Sequence, residues 1–587
     1  MEICATLASW AILKAAAKAA SMISARKLYE RLSSLSAMPS GADGQSWLQT
    51  AEEDALALLR EAGDLTILYA MFRHLWIVSV FAPAARMKKP NKKKLYDARI
   101  EVDAAWCIQR IWGGGKGHRV CLEPPLEFEP RHPLRGAEPI TFYRSFTGVQ
   151  NQATPVEISQ KLVHALGLHF VKSRNAYCRL NSDGDIEDVI HVFQDEGTGN
   201  FDDRACVLIS SKALAEFMAV GDYALFRKFD VTRFPPSNFS DWDNAKQHFE
   251  RDDLFYYAGL SRGGGSYVHG GQILRSVLTV EDMVEEWKAT EDRSNRRYES
   301  FIIHDWKNKR IIEWSSAPDA LSNYFQTSEK PFETSPAFFK PQVLVKYKAD
   351  PEKYDLRDRS ISCRNAWYLK TYDVNEAGQV HTYIGYLQNL PYSEQQYWKL
   401  YNERPKAPIS KRAYESDFQG SWASEEDPLQ ALRHAVSELD GKPPAWWKQR
   451  GDELSRRVHY PVTNASKEWA DELQLLDQFI VEGFVAKELR RLAEGANAEL
   501  DRNWQSLKII ETLLRLRGQD HSDEIVAPLR SLHHLRSKVS GHHTKERVEL
   551  EQEALAKYGS FPAHFRALCK ECNESFAIII DSLHATK

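Results

Sequence analysis

Apolar positions along this chain change period from one region to the next. From residue 464 to the end they recur every three to four residues, over 466–494, 500–517, 522–540, 544–557 and 562–584, which predicts an independent helical bundle. Between about 137 and 420 the runs are shorter. Ala176–Leu180 and Asp188–Phe193 flank the turn segment Asn181–Asp185 and read as a hairpin. Tyr298–Asp305 and Arg310–Trp314 around Trp306–Lys309 read as a second. Further strands are predicted over 205–210, 223–234, 342–347 and 367–373, and helices over Lys212–Val220 and Val280–Trp287. Thr154-Pro155-Val156-Glu157 combines a capping residue, a first-turn proline and a reciprocal Glu, which predicts a helix from there to Leu168. Residues 1–112 read as helical throughout, in an Ala-rich start, a periodic segment over 51–82 and a last segment from Leu95 to Trp112.

These patterns predict an α+β multi-domain protein: an N-terminal helical domain over 1–121, a central, largely antiparallel α+β domain over 137–420, a linker with one helix over 421–463, and the bundle over 464–587. The Gly113–Gly117 stretch and the prolines of 123–133 set the first boundary. The run Leu65–Ala84 is long enough to span a bilayer, but Arg73 and His74 near its middle favour a buried helix, so no membrane partner is expected.

Composition adds limits. Charged residues at 27% and hydrophobic ones at 43% describe folded protein, and a net charge of −4 supplies no global field for nucleic acid. The bundle alone holds 17 Lys plus Arg against 20 Asp plus Glu, so it offers no basic face. Eight cysteines scattered without a framework spacing fit a reducing, cytoplasmic setting.

The densest chemistry is Ser531-Leu-His-His-Leu-Arg-Ser-Lys-Val-Ser-Gly-His-His543. On a helix Leu529, Leu532 and Val539 form an apolar stripe, and Arg536 falls inside it, so the guanidinium needs a partner. His542 and His543 follow at five and six intervening residues, within reach of Arg536. This spacing resembles the HEPN superfamily of helical bundles, over about the last 120 residues. That family usually places Asn, Asp or His directly after the Arg, where this chain has Ser537. The resemblance implies two copies meeting in a dimer, Arg536 holding the scissile phosphate of RNA, and His542 or His543 moving protons during attack by the ribose 2′-hydroxyl, without a metal or cofactor. It also implies an anti-phage defence or toxin-like effector, whose central region senses an unknown ligand or protein trigger. A rival reading is a non-enzymatic sensor or scaffold whose bundle mediates dimerisation.

Other features read more plainly. The four histidines between 533 and 543 lack a carboxylate or thiol that would complete a metal site, and Cys569-Lys-Glu-Cys572 with His564 is a single pair. Gly263–Gly271 and Gly113–Gly117 lack the phosphate-loop pattern and read as turns. Asp282 with Glu286-Trp-Lys288 falls on a predicted helix, not the strand a nuclease would need. The aromatic stretch from Trp367 to Tyr401 reads first as core and second as a stacking groove for bases. Asp230, His304, Asp305, Glu313 and His381 are further polar candidates whose convergence only a fold decides.

Overall fold

The computed structural model describes residues 25–34, 44–59, 64–100, 105–112, 117–143, 156–194, 205–234, 245–251, 253–261, 265–291, 296–325, 327–420, 427–539 and 545–584. The chain is α+β and divides into two compact units, one of residues 1–180 and 186–296, the other of 181–185 and 297–587.

The first unit is built on an antiparallel sheet. Its strands are β1 (Leu65–Phe72), β2 (Leu75–Pro83), β3 (His169–Val171), β4 (Ala176–Leu180), β5 (Ile186–Gln194), β6 (Ala205–Ser210), β7 (Tyr223–Arg233), β8 (Ala245–Arg251), β9 (Leu254–Ser261) and β10 (Gly265–Arg275), in the order β8-β9-β10-β7-β2-β1-β6-β5-β4-β3. Both faces are covered. Helix 25–33 and α1 (Gly44–Leu59) pack on one through Leu28, Leu32, Leu48 and Ala55. Helix α2 (Ser211–Gly221) packs on the other through Leu214, Phe217 and Met218.

That double burial corrects the expectation for 65–84, which is a strand pair and not a buried helix. Every residue of β1 except Met71 is buried, so the inward and outward positions are both apolar and the period-2 signature disappears. Of the segment expected to be helical from Leu95 to Trp112, the described residues hold a helix only at its start, the end of Lys92–Asp97, and Cys107–Trp112 is a strand paired with His118–Glu123. Thr154 and Pro155 lie outside the described residues. The helix expected after them is shorter, Gln160–Ala165, because Val156–Ile158 pairs as a strand with Thr141–Tyr143. The glycines expected to form a flexible turn belong to β10 from Gly265 onward. A Cβ at Gly270 would stand 2.1 Å from the Phe255 carbonyl oxygen, so the close approach of β9 and β10 requires glycine there.

The second unit opens with the expected hairpin β11 (Ser300–Asp305) and β12 (Arg310–Ser315). Next come β13 (Pro336–Phe339), the three-stranded sheet β14 (Tyr354–Leu356), β15 (Ile361–Cys363) and β16 (Trp367–Leu369), then β17 (Asp373–Val374) and β18 (Val380–Tyr383). The larger sheet runs β12-β11-β13-β18-β17. Residues 342–347, expected as a strand, are a 3-10 turn continuing into Val345–Ala349, because Pro341 fixes the first turn of a helical segment. Trp367, Tyr372, Tyr383, Tyr397, Trp398 and Tyr401 are buried, so this aromatic stretch is core.

The helical part consists of α3 (Pro428–Gly441), α4 (Gly451–Arg457), α5 (Ser466–Ile480), α6 (Ala486–Gly495), α7 (Ser506–Leu516), α8 (Ser522–Val539), α9 (Lys545–Tyr558) and α10 (Phe561–His584). Asp427 caps α3 by accepting from the Gln430 amide, and Pro428 suits its first turn. One apolar core joins α3, α5, α7, α8 and α10. Among the described residues no helix is long and apolar enough to cross a membrane.

Candidate functional site

Helix α8 places the predicted stripe as its periodicity requires, with Leu529, Leu532 and Val539 all buried. Arg536 lies at the edge of that stripe, with 30% of its side chain exposed. One turn back, at i−3, His533 is half exposed on the same face.

Both side chains converge on Asp477, which α5 brings to the contact between the two helices. Asp477 is fully buried. His533 Nδ1 lies 3.0 Å from its Oδ1, and Arg536 Nε lies 3.7 Å from its Oδ2. Arg536 Nη2 also donates to Glu482 Oε1 at 3.1 Å. Burial pushes the Asp477 carboxyl above its usual range, while His533 and Arg536 pull it back towards the charged form. The result is a carboxylate out of solvent that orients two cationic or titratable groups, each still reaching solvent. Arg536 is therefore tied to a core carboxylate, which weighs toward a structural role. A guanidinium has five donors, however, and a single hydrogen bond to Glu482 leaves others for an incoming anion.

His542 and His543 lie outside the described residues, so the geometry of the motif is built from Arg536 alone. Sequence reasoning did not find Asp477, Glu482 or the role of His533. A signal for Asp477 existed: it sits among Leu473, Leu476 and Ile480 on the buried face of α5, a carboxylate in an apolar stripe that mirrors Arg536 in the stripe of α8.

The other face of α8 borders a cavity of about 540 Å³ shared with α9 and α10, where Arg530, His534, Lys557 and His564 meet. Arg530 is already paired with Glu511 at 2.6 Å. His564 accepts from the Trp469 indole at 3.2 Å, and burial lowers its pKa to about 4. Cys569 and Cys572 are buried in the core, and among the described residues no group of three or more His, Cys, Asp or Glu is placed to hold a metal ion.

Of the remaining polar candidates, all but His304 have local partners among the described residues. Asp305 binds Asn308 and Arg310 at the end of its hairpin, Glu313 pairs with Lys399, His381 accepts from the Ser410 amide, and Asp230 accepts from Thr232. Asp282 caps its own helix through Thr279, and Glu286 and Lys288 are exposed on Val280–Glu291. No family model, no curated protein and no solved structure matches this chain.

Proposed function

We propose that the C-terminal bundle handles RNA as a HEPN-like, metal-independent endoribonuclease module, and that the rest of the chain acts as its sensing region. The observation that supports this reading is that Arg536 and His533 stand side by side on α8 with both side chains open to solvent, and that Arg536 keeps donors beyond its hydrogen bond to Glu482. Arg536 supplies a fixed positive charge suited to a phosphate, and a histidine stands beside it. In this reading the ribose 2′-hydroxyl attacks phosphorus and loses its proton to a histidine, and the 5′-oxygen leaves and takes up a proton. The products are a 2′,3′-cyclic phosphate and a 5′-hydroxyl end, with His542 or His543 as the proton carrier and Asp477 as a positioning residue.

A second reading is favoured by one specific observation: the ion pairs of Arg536 with Asp477 and Glu482 also serve a purely structural bundle, in which case the chain is a scaffold or sensor that dimerises through its helices. Cleavage of a labelled RNA pool by the full chain, with and without EDTA, separates the two. The ribonuclease reading expects activity that survives EDTA and is lost in Arg536→Ala and in the double variant His542→Ala/His543→Ala. Equal cleavage in all variants, or none, transfers the assignment to the scaffold.

A further inference from the structure

A different arginine in the second unit has no carboxylate partner. Arg433, on α3, has most of its side chain buried, and no Asp or Glu oxygen lies within ion-pair distance of it among the described residues. Its Nη2 donates to the Val458 carbonyl and lies 3.5 Å from His459 Nδ1, while its Nε is buried without a hydrogen bond. Desolvation disfavours its charge, and Asp355 and Asp427 compensate only from a distance.

The contrast with neighbouring arginines is direct. Arg412 is paired with Asp373 at 2.7 Å and also with Asp358, and Arg566 with Asp358 at 3.1 Å. A buried arginine left without such a partner is costly, and an incoming anion would offset that cost.

His459 stands beside it, 7% exposed, with Nε2 making no hydrogen bond, although the Arg456 carbonyl is near enough to favour the ring's protonated form. Burial and the charge of Arg433 outweigh that carbonyl, so the ring stays neutral, with a pKa of about 3. It thus offers a neutral polar edge. Arg433 and His459 line two cavities at once, one of about 630 Å³ and one of about 820 Å³. The smaller lies among the β14–β15 sheet, α3 and α4, and has Arg364 and Arg456 on its rim. Of the four carboxylates there, Glu352 pairs with Arg364, Asp355 pairs with Arg357, Asp440 accepts from the Trp447 indole and from the Arg450 and Gly451 amides, and Asp452 lies on α4. None is paired with Arg433.

We propose that Arg433 and His459 form the floor of a binding site for a small phosphorylated ligand of nucleotide size. The guanidinium keeps Nη1 for a phosphoryl oxygen, since Nη2 is engaged and Nε is buried, and the smaller cavity has the volume of an ordinary small-molecule site. The assignment stands on Arg433 and its cavity, independently of the RNA reading of α8.

The test is thermal unfolding of the full chain titrated with inorganic phosphate, AMP and adenosine. AMP and phosphate raise the Tm of the wild type and of Arg536→Ala alike, adenosine does not, and Arg433→Gln weakens binding by about 10-fold or more. Arg433→Met, which removes the uncompensated charge, raises the Tm in anion-free buffer, and this readout holds even if Arg433→Gln folds poorly. No shift with any anion at about 10 mM, well above the millimolar range of a single contact, overturns the proposal. So does an equal shift in Arg433→Gln, or loss of the shift in Arg536→Ala, which would place the anion at α8.

Discussion

Among the completely buried charges, Arg227 of the first unit and Asp477 of the second have different surroundings. Arg227, on β7 in the first unit, donates to the main-chain carbonyls of Ile67 and Leu59 and to Gln272. Asp477, in the bundle, is met by His533 and Arg536, which reach solvent. The first charge is held by backbone that cannot leave without opening the sheet. The second is held by side chains that a ligand can approach. Burial alone therefore does not distinguish a structural charge from a working one; the mobility and exposure of its partners do.

The comparison is broken most severely at Arg227. Arg227→Ala leaves two buried carbonyls without their donor and is expected to cost about 3–5 kcal/mol in urea unfolding followed by tryptophan fluorescence, with no effect on RNA handling beyond the loss of folded protein. Asp477→Ala is expected to cost less, about 1–3 kcal/mol, because Arg536 and His533 can turn to water, yet it removes the orientation of both groups. If Asp477→Ala destabilises as much as Arg227→Ala and leaves RNA cleavage or binding intact, the distinction between the two charges fails.

A pH-dependent effect comes from neutral buried histidines of the second unit. Burial lowers the His381 pKa to about 4, below the 6.5 of an unfolded histidine. The unfolded chain therefore takes up the proton first as pH falls. Stability from this residue is complete above about 6.5 and is lost between there and about 4, at up to about 1.4 kcal/mol per pH unit. Asp477 and Glu472, whose carboxyls burial pushes up, act in the opposite sense at the acid end. His381→Gln should flatten the slope between pH 6.5 and 4 relative to the wild type, and an unchanged slope removes the assignment. The smallest effect concerns chemistry without stability. Iodoacetamide should label exposed Cys107 and Cys121 in the native protein and leave Cys178, Cys206, Cys363, Cys569 and Cys572 unmodified until unfolding, as read by peptide mass spectrometry.

How far the sequence could be read followed the physics of each segment. The hairpins β4–β5 and β11–β12 were legible because their turns state themselves: Asn181 accepts from the amides of Asp183 and Asp185, and Lys309 takes a left-handed conformation next to Arg310. The bundle was legible because one face of each helix is wet. Segment 65–84 was not, since a strand covered on both sides and a buried helix present the same unbroken apolar run. At the candidate site, Arg536 was found as a charge inside a stripe, whereas the distances to Asp477 and Glu482 span more than fifty residues of chain and exist only once α5 meets α8.

The place of β2 in its sheet bears on how the chain is made. β2 lies between β1 and β7, and its Pro83 pairs with Tyr223, about 140 residues further on. At ribosomal speeds of about 5–20 residues per second, β7 emerges roughly 7–28 s after its partner strand. For that interval the β1–β2 hairpin presents apolar side chains on both faces and an unpaired edge, the state most prone to aggregation and to capture by chaperones. Helices α5 to α10 contact one another over shorter spans and close soon after they appear. The slow, exposed step in the synthesis of this protein thus belongs to its sheet, and faster translation between residues 83 and 223 should raise the yield of folded chain.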